Sequence, residues 1–318
     1  MTKIRLGGNS GIDVPTMGIG TWAWGDRCFW AYGKDYQEVD LRRAFDASVE
    51  QGLGFFDTAE IYGLGESERL IGRFLKGSKS GSEVKIASKY MPVPWRTNRQ
   101  SIKQAISQSL ERLQLSAIDL YQVHQPFSFL MSQEDLLATL AEEFKLGRIK
   151  AIGVSNYSAR QMRQAYEILA KRGVRLATNQ VQYSLLSRQV EENGVLDTAA
   201  ELGIAILAYS PLAQGLLTGK YKSQRPPKGL RQFDPRFGER GLFTIEPVIK
   251  LLRKIGEQYN RSPAQVALNW LIEQGNVIPI PGAKNADQAK HNAGALGWQM
   301  QPEDLEGLER VTRPWLKS

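Results

Sequence analysis

The sequence predicts a (β/α)8 TIM barrel formed by a single domain over residues 1–318, and three observations carry that reading. Eight short β-branched, apolar runs recur along the chain, and amphipathic stretches of helical period separate them. Seven of the runs end in a polar or aromatic residue of a kind used in catalysis or cofactor binding. In a parallel barrel such ends meet at one mouth, where chemistry is to be expected.

Taken in order, the first element is a hairpin. Ile4-Arg5-Leu6 and Ile12-Asp13-Val14 flank the turn-rich Gly7-Gly8-Asn9 and Gly11, which predicts an N-terminal β-hairpin plugging the barrel floor. The strand candidates follow at 17–21, 54–58, 84–89, 118–124, 149–154, 176–181, 204–209 and 277–281. Ser158 is a good N-cap for a helix over 159–171, and Ser262-Pro263 opens another over 264–274. The longest break, 212–242, is rich in Gly, Pro and Arg and follows the seventh strand, so it reads as a functional flap. A doubly wound dinucleotide fold would require Gly-x-Gly-x-x-Gly before a helix. Gly18-Ile19-Gly20-Thr21-Trp22-Ala23 does not fit, and no Walker-type loop is present.

Composition narrows the function classes. With 318 residues and 42% hydrophobic content, the chain can bury a large core. No run approaches the roughly 20 apolar residues that span a bilayer, and no signal pattern opens the chain, so a soluble cytoplasmic protein without a membrane partner is expected. One cysteine, Cys28, and two histidines leave no cluster with metal-ligand spacing, so no metal is expected. The net charge of +8 is dispersed and not gathered in blocks, which favours an anionic small ligand over nucleic acid.

The strand ends carry the chemistry. Asp57 closes Gly54-Phe55-Phe56-Asp57; alone it reads equally as a helix cap or a catalytic carboxylate. Lys89 closes Ile86-Ala87-Ser88-Lys89, and a lysine at the end of a buried strand needs a counter-ion or a ligand, which Asp57 can supply. His124 closes Asp119-Leu120-Tyr121-Gln122-Val123-His124, and Tyr62 lies just beyond the second strand. A lysine cation beside a phenol favours its ionised form, so Tyr62 is suited to giving a proton to a carbonyl oxygen that His124 also holds. A site of this kind then needs a hydride from a cofactor.

These residues sit in segments that resemble the aldo-keto reductases. The matching stretches are Gly20-Thr21-Trp22, Phe56-Asp57-Thr58-Ala59-Glu60-Ile61-Tyr62-Gly63, Gly65-Glu66-Ser67-Glu68, Ile86-Ala87-Ser88-Lys89 and Asp119-Leu120-Tyr121-Gln122-Val123-His124. Gly153-Val154-Ser155-Asn156, Asn179-Gln180-Val181-Gln182-Tyr183, Ala208-Tyr209-Ser210-Pro211-Leu212 and Ile280-Pro281-Gly282-Ala283-Lys284 continue the series in family order over nearly the whole chain. The resemblance implies a catalytic tetrad of Asp57, Tyr62, Lys89 and His124 and an NADP(H) cofactor. It implies that Ser155, Asn156 and Gln180 bind the nicotinamide carboxamide while Tyr209 stacks on the ring. Gly20, Thr21 and Trp22, with Asp57, would line the inner edge. Ser210, Pro211, Leu212, Gln214, Gly215 and Lys220 would wrap the pyrophosphate, with Arg231 in the same flap.

At the adenosine end the resemblance implies Gly282, Ala283 and Lys284 before a helix N-terminus, with Gln288 and Asn292 toward adenine. Lys284 would select the 2′-phosphate. This segment is similar to the bacterial and plant branch that includes pyridoxal reductases and general aldehyde reductases and that resembles potassium-channel β subunits. The expected activity is NADPH-dependent reduction of aldehydes and ketones, the partner being a small carbonyl substrate. Trp22, Trp24, Trp30, Tyr90, Met91 and Trp95 are expected to wall an apolar substrate pocket over Tyr62 and His124. Two other readings predict different behaviour. A cofactor-binding regulatory subunit would show negligible turnover, and a Schiff-base barrel would use Lys89 as nucleophile without nicotinamide.

Overall fold

The computed structural model describes residues 2–8, 11–78, 83–127, 129–221, 227 and 229–317. Asn9 of the predicted turn, and residues 222–226 and 228 of the predicted flap, lie outside the described residues. The predicted hairpin is present as β1 (Lys3–Leu6) and β2 (Ile12–Pro15), antiparallel, with Leu6 opposite Ile12.

Eight parallel strands follow, one for each predicted run: β3 (Ile19–Gly20), β4 (Phe55–Asp57), β5 (Lys85–Tyr90), β6 (Leu120–Val123), β7 (Ile152–Ser155), β8 (Leu176–Gln182), β9 (Ala205–Tyr209) and β10 (Val277–Pro279). They pair in chain order from β3 to β10. The ends of the sheet then meet. The amides of Gly18 and Gly20 donate to the carbonyls of Pro279 and Pro281, each at 3.0 Å, and Gly20 bridges Gly282 in parallel. A Cβ on Gly20 would stand 2.7 Å from the Ile280 carbonyl oxygen, so the closing seam needs a glycine there.

A helix follows each barrel strand: α1 (Glu38–Glu50), α2 (Glu66–Lys76), α3 (Arg99–Leu113), α4 (Gln133–Lys145), α5 (Ala159–Ala170) and α6 (Val195–Leu202), then α8 (Pro263–Ile272) and α9 (Ala286–Ala293). The predicted starts are correct, for Ser158 and Ser262 each form a capping box with the glutamine three residues on. Two further helices, α7 (Glu239–Tyr259) and α10 (Pro302–Thr312), pack on each other outside the barrel repeat. The flap is shorter than the predicted 212–242 break. Helix α7 already starts at Glu239, where an acidic first turn suits the helix dipole, and short turns occupy 213–218, 229–233 and 235–237. Among the described residues no helix is long and apolar enough to cross a membrane.

The core splits where the barrel floor lies. Leu6, Ile12 and Val14 of the hairpin cluster with Phe55, Leu120, Leu207 and Ile278 from the barrel strands, apart from the larger core between strands and helices. The hairpin therefore closes the floor and leaves the opposite mouth open. Truncating fully buried Leu6 to alanine should cost about 2–5 kcal/mol in denaturant unfolding. A loss well under about 1 kcal/mol would show that the plug is not part of the core.

Candidate active site

Strand alternation sets which residues reach the mouth. Asp57 is the last residue of β4, Lys89 is the penultimate residue of β5, and His124 directly follows β6. Tyr62 opens a 3-10 turn after β4, its amide donating to Ala59 O. The four side chains converge. Lys89 Nζ donates to Asp57 Oδ2 at 2.5 Å, to Thr58 O at 2.8 Å and to Tyr62 Oη at 3.3 Å. The His124 ring meets the Tyr62 ring edge-on, with centroids 5.8 Å apart.

The Asp57 carboxylate is no helix cap. Its Oδ1 accepts Gln180 Nε2 at 2.7 Å and Gln122 Nε2 at 3.1 Å, while Oδ2 takes the ammonium. Asp57 and Lys89 are 2% and 1% exposed, so each charge depends on the other and on these donors. Burial works against the Lys89 ammonium, but Asp57 and then Tyr62 outweigh it and hold the group protonated above its ordinary value. Lys89 is enclosed by three partners and does not itself line the cleft, an arrangement that disfavours the Schiff-base reading.

Burial also pushes the Tyr62 phenol above its ordinary value. Lys89 opposes that rise, as expected from the sequence, but does not overcome it. For His124, burial and then the Lys89 cation lower the pKa from 6.5 to about 3. The imidazole is therefore neutral at neutral pH and keeps one N–H to donate.

A cleft of about 730 Å³ opens over this cluster. Gly20, Thr21, Trp22 and Asp57 line its inner edge. Ser155, Asn156, Gln180 and Tyr209 line it beside the tetrad, already linked to one another. Ser155 Oγ donates to Gln180 O, Asn156 Nδ2 donates to His124 O, and Tyr209 Oη donates to Asn156 Oδ1. Farther out, the wall runs through Ser210, Pro211, Leu212, Gln214 and Gly215, where Ser210, Gln214 and Gly215 all have positive φ. Left-handed turns of this kind can present backbone amides to phosphate oxygens, though here the Ala213 and Gly215 amides already donate to Ser210 O and Leu212 O.

Three cations complete that end: Lys220, Arg231 and Lys284, none of them in an ion pair among the described residues. Burial and then the cations Arg231 and Lys220 push the Lys284 ammonium below its ordinary value. Gln288 and Asn292 line the same end but also brace it, since Gln288 Oε1 accepts the Lys284 amide and Asn292 Nδ2 donates to Gly282 O. Ala283 departs from the expected set. It is fully buried, and its carbonyl accepts Trp24 Nε1 at 2.8 Å in place of facing the cleft.

A family model described as the Aldo/keto reductase family matches residues 16–313. The chain belongs to the aldo/keto reductase family. Over 326 aligned residues it is 37% identical to the chloroplastic pyridoxal reductase of Arabidopsis thaliana, covering 99% of this chain and 87% of that protein. Among solved structures it is similar to the glycerol dehydrogenase of Gluconobacter oxydans, with a TM-score of 0.85, 27% identity and coverage of 99% and 96%. An aldo-keto reductase from Klebsiella pneumoniae solved in complex with NADPH gives a TM-score of 0.76 at 27% identity, covering 98% and 96%.

In this aldo/keto reductase the expected aromatic wall is only partly assembled. Trp22 lines the cleft beside Tyr62 and His124. Trp30 lines it too, but at the cation-rich end, with Arg231 4.9 Å and Lys284 5.3 Å from its ring. Tyr90 is fully buried outside the cleft, because it alternates with inward-pointing Lys89 on β5 and so faces the helices. Trp24 is buried in the core, Trp95 stands 78% exposed on a loop, and neither Trp95 nor Met91 lines the cleft. Ile61 and Gln125 do line it, and sequence reasoning passed over both. Each is chain neighbour to a tetrad member, a signal that position alone carried. Among the described residues no group of three His, Cys, Asp or Glu has the arrangement of a metal site.

The lowered pKa of His124 is open to direct test. In NMR titration its ring resonances, assigned by comparison with a His124→Gln variant, should stay in the neutral form from about pH 8 down to about pH 5. An inflection near the ordinary value of 6.5 would refute the burial argument.

Proposed function

We propose that this oxidoreductase reduces aldehydes and ketones to alcohols with NADPH as hydride source and Tyr62 as the acid. One observation carries the reading. The Tyr62 hydroxyl lies 3.3 Å from an ammonium locked onto a buried carboxylate, at a cleft that His124 also lines. Bound in that cleft, NADPH supplies the hydride. Its phosphates fit the cation-rich, left-handed end of the groove, where three positive charges form no ion pair among the described residues. Lys284 is the group for the 2′-phosphate, while Ser155, Asn156 and Gln180 are those for the carboxamide.

The chain's own residues then divide the work. His124, neutral, donates its N–H to the carbonyl oxygen and fixes its direction. Tyr62 gives that oxygen a proton, and the Lys89 ammonium 3.3 Å away stabilises the phenolate left behind. Asp57 keeps Lys89 charged and aimed. Because burial raises the Tyr62 phenol, reduction should hold steady through neutral pH and fall only on the alkaline side, as the acid loses its proton. Alcohol oxidation needs the phenolate and should rise over the same range.

The likeness to the Arabidopsis pyridoxal reductase supports including pyridoxal among the aldehydes tried, beside 4-nitrobenzaldehyde and methylglyoxal. Following NADPH absorbance, Tyr62→Phe should lose about 10²–10⁴-fold in turnover while still binding NADPH by fluorescence. Full activity in that variant would sink the acid role. Wild-type protein that binds NADPH but reduces no carbonyl would favour a cofactor-binding regulatory subunit. Lys284→Ala should weaken NADPH about tenfold or more and leave NADH nearly unchanged. Equal weakening of both would remove the 2′-phosphate assignment.

A further inference from the structure

Between the apolar barrel floor and the mouth lies a buried polar layer, and Gln122 on β6 is its centre. Both polar atoms of its side chain are engaged. Nε2 donates to Asp57 Oδ1 at 3.1 Å, and Oε1 accepts Thr178 Oγ1 at 3.3 Å, which fixes which way the amide points. Gln122 is fully buried and does not line the cleft. Room for it comes from Gly153 on β7: a Cβ there would stand 2.9 Å from Gln122 Cγ and 2.1 Å from Thr178 Oγ1.

An amide placed in a barrel interior with no access to ligand adds little as packing, where an apolar side chain of the same size serves better. Its contact with Asp57 suggests another purpose. Gln122 and Gln180 together occupy Oδ1, leaving Oδ2 as the oxygen that faces Lys89. Lys89 in turn divides three protons among Asp57 Oδ2, Thr58 O and Tyr62 Oη, the last being the longest contact and so the first lost if the carboxylate turns.

We infer that Gln122 is a positioning residue for carbonyl reduction: held by Thr178, it pins the Asp57 carboxylate so that Lys89 stays in reach of Tyr62. The inference rests on the reading of Tyr62 as the acid.

The test is the single-turnover rate of 4-nitrobenzaldehyde reduction by protein preloaded with NADPH, as a function of pH. Gln122→Met keeps size and removes the donor. The rate should fall about 10- to 100-fold with NADPH affinity nearly unchanged and a modest drop in thermal midpoint, because Gln180 still donates to Asp57 Oδ1. Its alkaline limb should move to higher pH, because a displaced Lys89 acts less on the phenol. Asp57 and Lys89 face the Tyr62 hydroxyl, with the His124 ring and Tyr209 as the other titratable neighbours, and the variant replaces none of them.

Gln122→Glu supplies the discriminating comparison. Two carboxyls that close share a proton, and the protonated acid can donate to Asp57 Oδ1 as the amide does. Its rate should therefore recover on acidification, while that of Gln122→Met should not. A wild-type rate in Gln122→Met, or the same pH profile in both variants, overturns the inference. If Gln122→Met loses NADPH binding and thermal stability together, Thr178→Val decides instead. A rate about threefold lower with NADPH affinity intact supports positioning, and an unchanged rate overturns it. A wild-type protein inactive on every carbonyl would instead refute the reduction reading, a separate result.

Discussion

The buried pair of Asp57 and Lys89 is the constraint around which the mouth is built. Two charges at 1–2% exposure have given up their water, and mutual attraction alone does not offset that loss unless the remaining hydrogen-bonding capacity is met. Here it is met from four strands. The carboxylate stands on β4 and the ammonium on β5, while the two amides that complete the carboxylate reach in from β6 and β8. The pair therefore exists only if those strands end at one level, which is what the closed, in-order parallel sheet enforces. In the proposed reduction, the same arrangement governs Tyr62 as the acid. Burial keeps the phenol protonated, and the ammonium beside it lowers the cost of losing the proton when a carbonyl oxygen takes it.

Most of this was legible because strand ends are conspicuous. Asp57, Lys89 and His124 interrupt apolar runs, and a polar residue that closes such a run must be at a mouth or in error. Gln122 was passed over for the opposite reason. It sits inside Tyr121-Gln122-Val123, two residues before His124 and on the same side of the strand, where alternation points it inward. Its strongest signal is on another strand: Gly153 leaves the space, and that pairing appears only when β6 and β7 are side by side. Tyr90 erred the other way. It is expected in the aromatic pocket wall, but as the chain neighbour of inward-pointing Lys89 it faces the opposite side of the strand.

The long connection after β9 was harder still. Gly, Pro and Arg content marked it as irregular, but composition does not locate where a helix resumes, and α7 begins inside the stretch assigned to the flap and carries Pro247 within it. Pro is tolerated there because a helix packed along α8 and α10 gains more from tertiary burial than it loses at one missing amide. Ala283 and Trp24 show the same limit at single-residue scale. The indole N–H takes the Ala283 carbonyl and draws both into the core, a contact across 259 positions that no local pattern carries.

The charges of the cleft are not spread evenly, and that asymmetry does mechanistic work. At the inner end Asp57 and Lys89 cancel, so that part of the cleft offers directed donors with no net charge. At the far end Lys220, Arg231 and Lys284 gather with no ion pair among the described residues, with Trp30 between two of them offering its ring face. A ligand with phosphates at one end and a neutral ring at the other is thereby oriented before it makes any specific hydrogen bond, since only one of its two directions matches the field. Orientation by the outer cations and chemistry by the inner strands are thus separable. On the proposed function, Trp22, Ile61 and Gln125, on the loops between them, are left to choose the carbonyl.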